Sequence, residues 1–224
     1  LTLEEYSNYF YKDVNSLRFR KIHCYSVLMP DMKIYHDADA DTSLLSGKTI
    51  AVIGYGAQGR AQARMMHESR LNVVVGCREK GASWQLAEQD GLRVATIAQA
   101  ATEGDIVHVL VPDETQKAVY EADIAPNLKP GNILSFSHGF NIVFGRITPL
   151  KDVGVIMVAP KAPGTEEYKC YQQGFGVPAL ISIHQDTPEG NAKALALAMA
   201  KAMFFTKAGV MECNSVFQAF CKRL

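Results

Sequence analysis

Three glycines in this 224-residue chain stand at a spacing that suits phosphate. Gly54-Tyr55-Gly56-Ala57-Gln58-Gly59 reads G-x-G-x-x-G and follows a short apolar run, Thr49–Ile53. In that setting Gly54 permits a tight turn, and Gly56 lets a pyrophosphate approach the backbone. Gly59 lets the following helix pack closely on the strand. A helix opening here also offers unpaired N–H groups and the positive end of its dipole to the phosphates. A glycine-rich turn without a ligand is the plain alternative. The strand before and the helix after favour the dinucleotide.

A second apolar run, Asn72–Gly76, ends in Cys77-Arg78 with no acid at its tip. A carboxylate there would hold a ribose 2′-hydroxyl, as in NAD sites, whereas a guanidinium pairs a 2′-phosphate. Arg78, with Lys80 and Ser83 in the same loop, predicts NADPH, although Glu79 points the other way. Three later stretches also follow apolar runs. They are Pro112-Asp113-Glu114-Thr115-Gln116, Ser137-His138-Gly139-Phe140-Asn141 and Ala159-Pro160-Lys161-Ala162-Pro163-Gly164-Thr165. His138, through a water, and Lys161 are candidates to stabilise the alkoxide that develops during hydride transfer. A lone histidine more often serves the fold, and a lysine beside two prolines also reads as surface.

The elements that would position these groups alternate. Strands are expected at Thr49–Ile53, Asn72–Gly76, Arg93–Ala95, Ile106–Val111, Asn132–Ser137, Val153–Ala159 and Pro178–His184. Helices are expected at Gln58–Ser69, around Trp84–Gln89, and at Ile97–Glu103, Thr115–Asp123 and Asn191–Met203. Short apolar runs bounded by Gly and Pro read as buried strands. The alternation implies an α/β fold: a Rossmann-type, doubly wound, mostly parallel sheet with helices on both faces. The three later stretches then fall at C-terminal strand ends, the edge where open α/β sheets bind ligands. Residues 1–31 show no clear period and read as an extension of unknown structure. Residues 32–208 read as the dinucleotide-binding domain and 209–224 as a short tail.

Composition argues against several other classes. Basic and acidic residues balance at 23 each, which disfavours a nucleic-acid binder that needs clustered cations. The basic cluster Arg18–Lys21 reads as solvated surface. The longest apolar run, Ala194–Phe205, is broken by Lys201 and too short to span a membrane. Leu1–Asp13 carries acids and no apolar signal core. An initial Leu hints at a fragment or a processed end. Cys24, Cys77, Cys170, Cys213 and Cys221 form no CxxC pair and are odd in number, which fits a reduced, cytoplasmic chain.

From Met32 to about Ala202 the chain resembles the N-terminal domain of ketol-acid reductoisomerases. The stretches that carry the resemblance are MKIYHDADAD, GKTIAVIGYGAQG, VVVGCREKGASW, LVPDETQ, SHGFNIV, VIMVAPKAPGTE and GFGVPALISIH, in order. The resemblance implies that Tyr55, Gly56, Ala57, Gln58, Arg78, Ser83, Asp113, Glu114, Thr115, Gln116 and Gly164 contact NADPH. It matches His138 and Lys161 to a catalytic histidine and lysine. It implies alkyl migration in 2-acetolactate or 2-aceto-2-hydroxybutyrate, then reduction of the 2-keto acid, in valine and isoleucine biosynthesis. It also implies Mg²⁺ as Lewis acid, held by carboxylate oxygens of a C-terminal helical domain.

That helical domain would begin in an acidic helix soon after Ala208–Glu212, and there the chain departs from the pattern. Cys213–Leu224 contains no Asp or Glu, and Met203–Lys207 stands where a glycine-rich segment is expected. No metal ligand is therefore assigned within this chain. Nor is an oligomer expected of it alone, because the family's subunit contacts come largely from the helical domain. Three functions stay open. One is a reductoisomerase that acts with a missing half and makes 2,3-dihydroxy acids. The second is an NADPH-binding module without isomerase activity. The third is a stand-alone reductase of a small keto acid, using His138 and Lys161. No nucleic-acid or membrane partner is expected.

Overall fold

A computed structural model describes residues 33–213. The expected extension at 1–31 and the tail beyond residue 213 lie outside the described residues. Six strands form a parallel block: β2 (Thr49–Ile53), β3 (Asn72–Gly76), β4 (Arg93–Ala95), β5 (Ile106–Val109), β6 (Ile133–Phe136) and β7 (Gly154–Pro160). Their order across the sheet is β4-β3-β2-β5-β6-β7. The chain starts in the middle, winds outward one way through β3 and β4, then returns to β5 beside β2. The crevice between β2 and β5 is the point where the winding reverses, and ligands of such sheets bind there.

Alternation along the central strands builds two cores. Ile50 and Val52 of β2 join one apolar cluster, and Ala51 and Ile53 join the other. All four are fully buried, and each side chain of Val or Ile size contributes about 1.5–3 kcal/mol by leaving water. Helices α1 (Ala57–Glu68) and α7 (Ala192–Ala202) cover the first face. Helix α3 (Ile97–Glu103) covers the other, together with Tyr120 and Ile124. Helix α1 buries Gly59, Ala61, Ala63, Met65 and Met66. Its small residues let it lie close on the sheet. It ends where Arg70 turns into the left-handed region at φ 63.

The sheet is mostly parallel as expected, and three features beyond that reading have local causes. The sheet is mixed at one margin: β8 (Ala179–Gln185) runs antiparallel to β7, and β1 (Ile34–Tyr35) antiparallel to β9 (Val210–Glu212). Between β7 and β8, helix α6 (Gly164–Gln172) packs on α1 instead of crossing back over the sheet. The chain returns to the edge it left, and the Lys161 N–H donates to Pro178 O at 2.8 Å. The helix expected at Thr115–Asp123 is α4 (Asp113–Val119) followed by a π-helical turn, Tyr120–Ile124. That wider turn brings both Tyr120 and Ile124 into the core. Finally, the sheet continues past residue 208, because Val210–Glu212 pairs with both β8 and β1. The remaining helices are α2 (Ala82–Gln89), α5 (Phe140–Val143) and α8 (Phe205–Ala208).

Candidate functional site

The three glycines after β2 answer to three different constraints. Gly54 has φ +98, and a Cβ there would lie 2.9 Å from the Val111 amide nitrogen. A Cβ on Gly59 would fall 2.1 Å from Gly54 O, so this residue sets the close approach of helix to turn. Gly56 meets nothing within 4 Å, and its φ of −80 is ordinary for any residue. Space, not backbone strain, is what a side chain at 56 would take. Gly56 caps α1, whose first-turn N–H groups have no intrahelical acceptor. Open ground in front of a twelve-residue helix N-terminus fits a pyrophosphate.

A second loop closes on the same helix start. A Cβ on Gly164 would lie 2.2 Å from Ala57 O, so α6 begins in contact with the first residue of α1. Gln58 Nε2 donates to Ala162 O at 3.1 Å. The Lys161–Gly164 loop is thereby held against the glycine turn. Lys161 itself is half-buried.

The Tyr55 side chain turns into the core. Its ring is buried, and its hydroxyl donates to Asp90 Oδ2 at 2.8 Å. Arg60 grips the same carboxylate with two bonds of 2.7 and 2.9 Å. Burial, then Asp90, push the Tyr55 phenol well above its ordinary value. The Arg60 guanidinium holds Asp90 below the usual carboxylate range. This triad pins the glycine turn to the end of α2.

Arg78 is exposed just beyond β3, and among the described residues no ion pair engages it. The Gly81 N–H donates to Arg78 O at 3.2 Å, and Lys80 takes φ 57 to close that turn. Ser83 lies in the first turn of α2, half-buried.

At the end of β5, Asp113 and Gln116 join a network with the loop after β6. His138 Nδ1 lies 2.6 Å from Asp113 Oδ2. Asn141 Nδ2 donates to Asp113 O at 2.9 Å and to Gln116 Oε1 at 2.8 Å. Gln116 Nε2 donates to Val111 O at 3.0 Å. Asp113 thus orients the imidazole, and among the described residues His138 Nε2 and Asn141 Oδ1 are buried without partners. Both atoms keep an unmet hydrogen-bonding capacity. Glu114 and Thr115 are exposed, and Thr115 Oγ1 turns back to Pro112 O at 2.9 Å. The structure therefore brings the glycine turn, Asp113–Gln116, His138 and Lys161 to one sheet edge. Arg78 and Ser83 lie beyond the end of the neighbouring strand, β3.

Sequence reading passed over a buried polar cluster behind this edge. His108 Nε2 lies 2.7 Å from Gln62 Oε1, and His108 Nδ1 lies 2.9 Å from Ser135 Oγ. Gln62 Nε2 reaches Gln58 Oε1 at 3.2 Å and Glu167 Oε2 at 3.4 Å. Burial pushes His108 down to about 4 and Glu167 up to about 8. Asn141 was visible only as part of a motif. The available signal was polar letters at core positions, such as His108 inside the apolar run Ile106–Val109.

Two further observations bound the site. Among the described residues, no group of three or more His, Cys, Asp or Glu side chains gathers to hold a metal. No described helix is long and apolar enough to cross a membrane. A cleft of about 290 Å³, lined by Lys48, Asp105, Gly131, Glu189 and Asn191, sits at the opposite, N-terminal edge of the strands.

The family model for the acetohydroxy acid isomeroreductase NADPH-binding domain matches residues 44–209. A ketol-acid reductoisomerase (NAD(+)) of the uncultured archaeon GZfos26G2 is 57% identical over 188 residues, 82% of this chain and 56% of that protein. A ketol-acid reductoisomerase (NADP(+)) of Methanobrevibacter smithii is 55% identical over 181 residues, 81% of this chain and 54% of that protein. The solved structure of an NADH-preferring ketol-acid reductoisomerase from an uncultured archaeon aligns with a TM-score of 0.84 at 54% identity. It covers 86% of this chain and 59% of that one. The chain spans about half the length of the curated relatives it matches. The matched stretch contains the glycine turn, the strand order and all three edge loops, and the chain belongs to the ketol-acid reductoisomerase family, whose dinucleotide-binding domain it carries.

Proposed function

We propose that this chain binds NADPH at the C-terminal edge of its sheet and forms the cofactor half of a ketol-acid reductoisomerase. Completed by a helical domain, that enzyme converts 2-acetolactate-type substrates to 2,3-dihydroxy acids. One observation carries the reading: the glycine turn is tied to the Lys161 loop through Gln58–Ala162 and Gly164–Ala57, and the His138–Asp113 pair lies at the same sheet edge. Gly54, Gly56 and Gly59, with the N–H groups of Ala57 and Gln58, hold the pyrophosphate. Arg78 and Ser83 take the 2′-phosphate. Asp113, Glu114, Thr115, Gln116 and Gly164 border the cofactor. When bound, the nicotinamide supplies a hydride to the substrate carbonyl. Lys161, and His138 as oriented by Asp113, stabilise the developing alkoxide. The described side chains offer no donor set for Mg²⁺, so its carboxylates are assigned to the helical domain and no step here runs through it. Cys77 and Cys170 are thiols, which supports a reducing, cytoplasmic setting.

A second cofactor reading has its own support, since one close relative is named for NAD(+). Arg78 and Ser83 favour NADPH against it. NADPH oxidation with two substrates tests the function. 2-Acetolactate requires migration, and 3-hydroxy-3-methyl-2-oxobutyrate bypasses it. Oxidation with both, given Mg²⁺ and a helical domain, is expected. Turnover of the second substrate alone points to a keto-acid reductase. Binding without turnover of either points to a cofactor-binding module.

A further inference from the structure

Glu167 is a carboxyl group in the wrong place for a carboxylate. It projects from α6 into the seam against α1 and is 1% exposed. Its Oε2 is met by Gln62 Nε2 at 3.4 Å, and Gln58 also reaches it. Its Oε1 is buried with no partner among the described residues. Among the described residues, no ion pair engages it. On α1, the packed element, Arg64 is engaged by the Tyr168 hydroxyl at 2.6 Å and lies 4.0 Å from Glu68. On β5, His108 is neutral and separated from Glu167 by Gln62. On α6 itself, Lys169 pairs with Glu166 at 3.8 Å.

The two glutamines that meet Glu167 have further duties. Gln58 belongs to the glycine turn, and its amide nitrogen holds Ala162 O in the Lys161 loop. Gln62 Nε2 has three acceptors within reach, Gln58 Oε1, Ser137 Oγ and Glu167 Oε2, and only two hydrogens. Whatever demand Glu167 makes on these amides is subtracted from the cofactor edge.

We infer that Glu167 is a positioning residue of the cofactor site, which acts through Gln58 and Gln62 to set the link between the glycine turn and the Lys161 loop. The inference rests on the dinucleotide reading of that turn. As an uncharged acid Glu167 competes weakly, and Gln58 stays on Ala162. Once the proton leaves, a buried carboxylate with no cation draws the nearest amide hydrogens to itself. Gln58 then leaves Ala162 O, and the loop loosens over the helix start. Cofactor affinity should therefore fall as the pH rises through the titration of Glu167, at about 8.

The test is a fluorescence titration of the full chain with NADPH and, in parallel, NADH. It runs from near neutrality to well above the titration of Glu167, with folding checked by circular dichroism at each pH. Wild type should lose on the order of tenfold in affinity for both cofactors, the size of a coupling of about one pKa unit. Glu167→Gln, uncharged throughout, should give a flat profile near the neutral-pH value. Glu167→Val, which makes no demand on either amide, should likewise give a flat profile near the neutral-pH value. A flat wild-type profile, or a pH-dependent loss shared by Glu167→Gln or Glu167→Val, would overturn the inference while the cofactor reading stands. Failure to bind either cofactor at any pH would overturn that reading, and the inference with it.

Discussion

Gly56 and Gly59 lie three residues apart in one motif, yet replacing them should do opposite things. A methyl at 59 would overlap Gly54 O at 2.1 Å, a backbone atom that cannot yield cheaply. Gly59→Ala should cost about 1–3 kcal/mol of stability, the usual penalty for overpacking. A side chain at 56 meets no protein atom within 4 Å and needs no unusual backbone angle. Gly56→Val should cost no more than about 1 kcal/mol, from a poorer helix cap. Its effect falls on the ligand. A branched side chain there blocks the pyrophosphate from the N–H groups of Ala57 and Gln58. Two hydrogen bonds to a charged group, at about 1.5–3 kcal/mol each, make the loss about 3–6 kcal/mol, or roughly 10²- to 10⁴-fold in Kd. Urea unfolding measures the first quantity and cofactor fluorescence the second. If Gly56→Val folds normally and binds NADPH as wild type does, the phosphate is not where we place it.

Three other outcomes are expected. Arg78→Ala should weaken NADPH by about 1.5–3 kcal/mol and leave NADH nearly unchanged, as read by paired titrations; an equal loss for both would remove the 2′-phosphate role. Asp90→Asn should destabilise the fold by about 1 kcal/mol at neutral pH, a modest figure because Arg60 is partly solvated. Asp90 is depressed in the fold, so its contribution is present above its ordinary value of 3.8 and lost as pH falls through the folded value; a penalty that persists unchanged in acid would contradict this. Glu167 is raised, so the folded state holds a proton the unfolded chain has released between its ordinary value of 4.5 and about 8. Wild-type stability should then decline with pH in that window by up to about 1.4 kcal/mol per unit, and denaturation of Glu167→Gln should lack that slope.

Much of the edge was legible because its cues are local. A glycine required by φ +98 at Gly54, or by a helix crossing at Gly59, leaves its mark in the letters themselves. The central strands were equally clear, since Ile50 to Ile53 are buried on both faces and read as an unbroken apolar run. The antiparallel turn from β7 to β8 was not, because a strand's direction is set by where the intervening helix packs. Here α6 packs on α1, a contact between residues about a hundred positions apart. The π-helical turn at Tyr120–Ile124 was hidden for a related reason: the core decides which residues face it. The inward turn of the Tyr55 side chain was equally hidden. Its partner Asp90 lies 35 positions away, beyond any local pattern. For Glu167, nothing in Gly164-Thr165-Glu166-Glu167 tells which glutamate turns inward.

The central claim is that the turn Gly54–Gly59 and the loop of Arg78 hold a phosphorylated dinucleotide. The most direct measurement is a fluorescence titration of the chain with NADPH and NADH, repeated on Gly56→Val. We expect saturable binding of both, tighter for NADPH, and loss of both in the variant. Equal affinity for the two cofactors would contradict the role of Arg78, and no saturable binding of either would contradict the site itself.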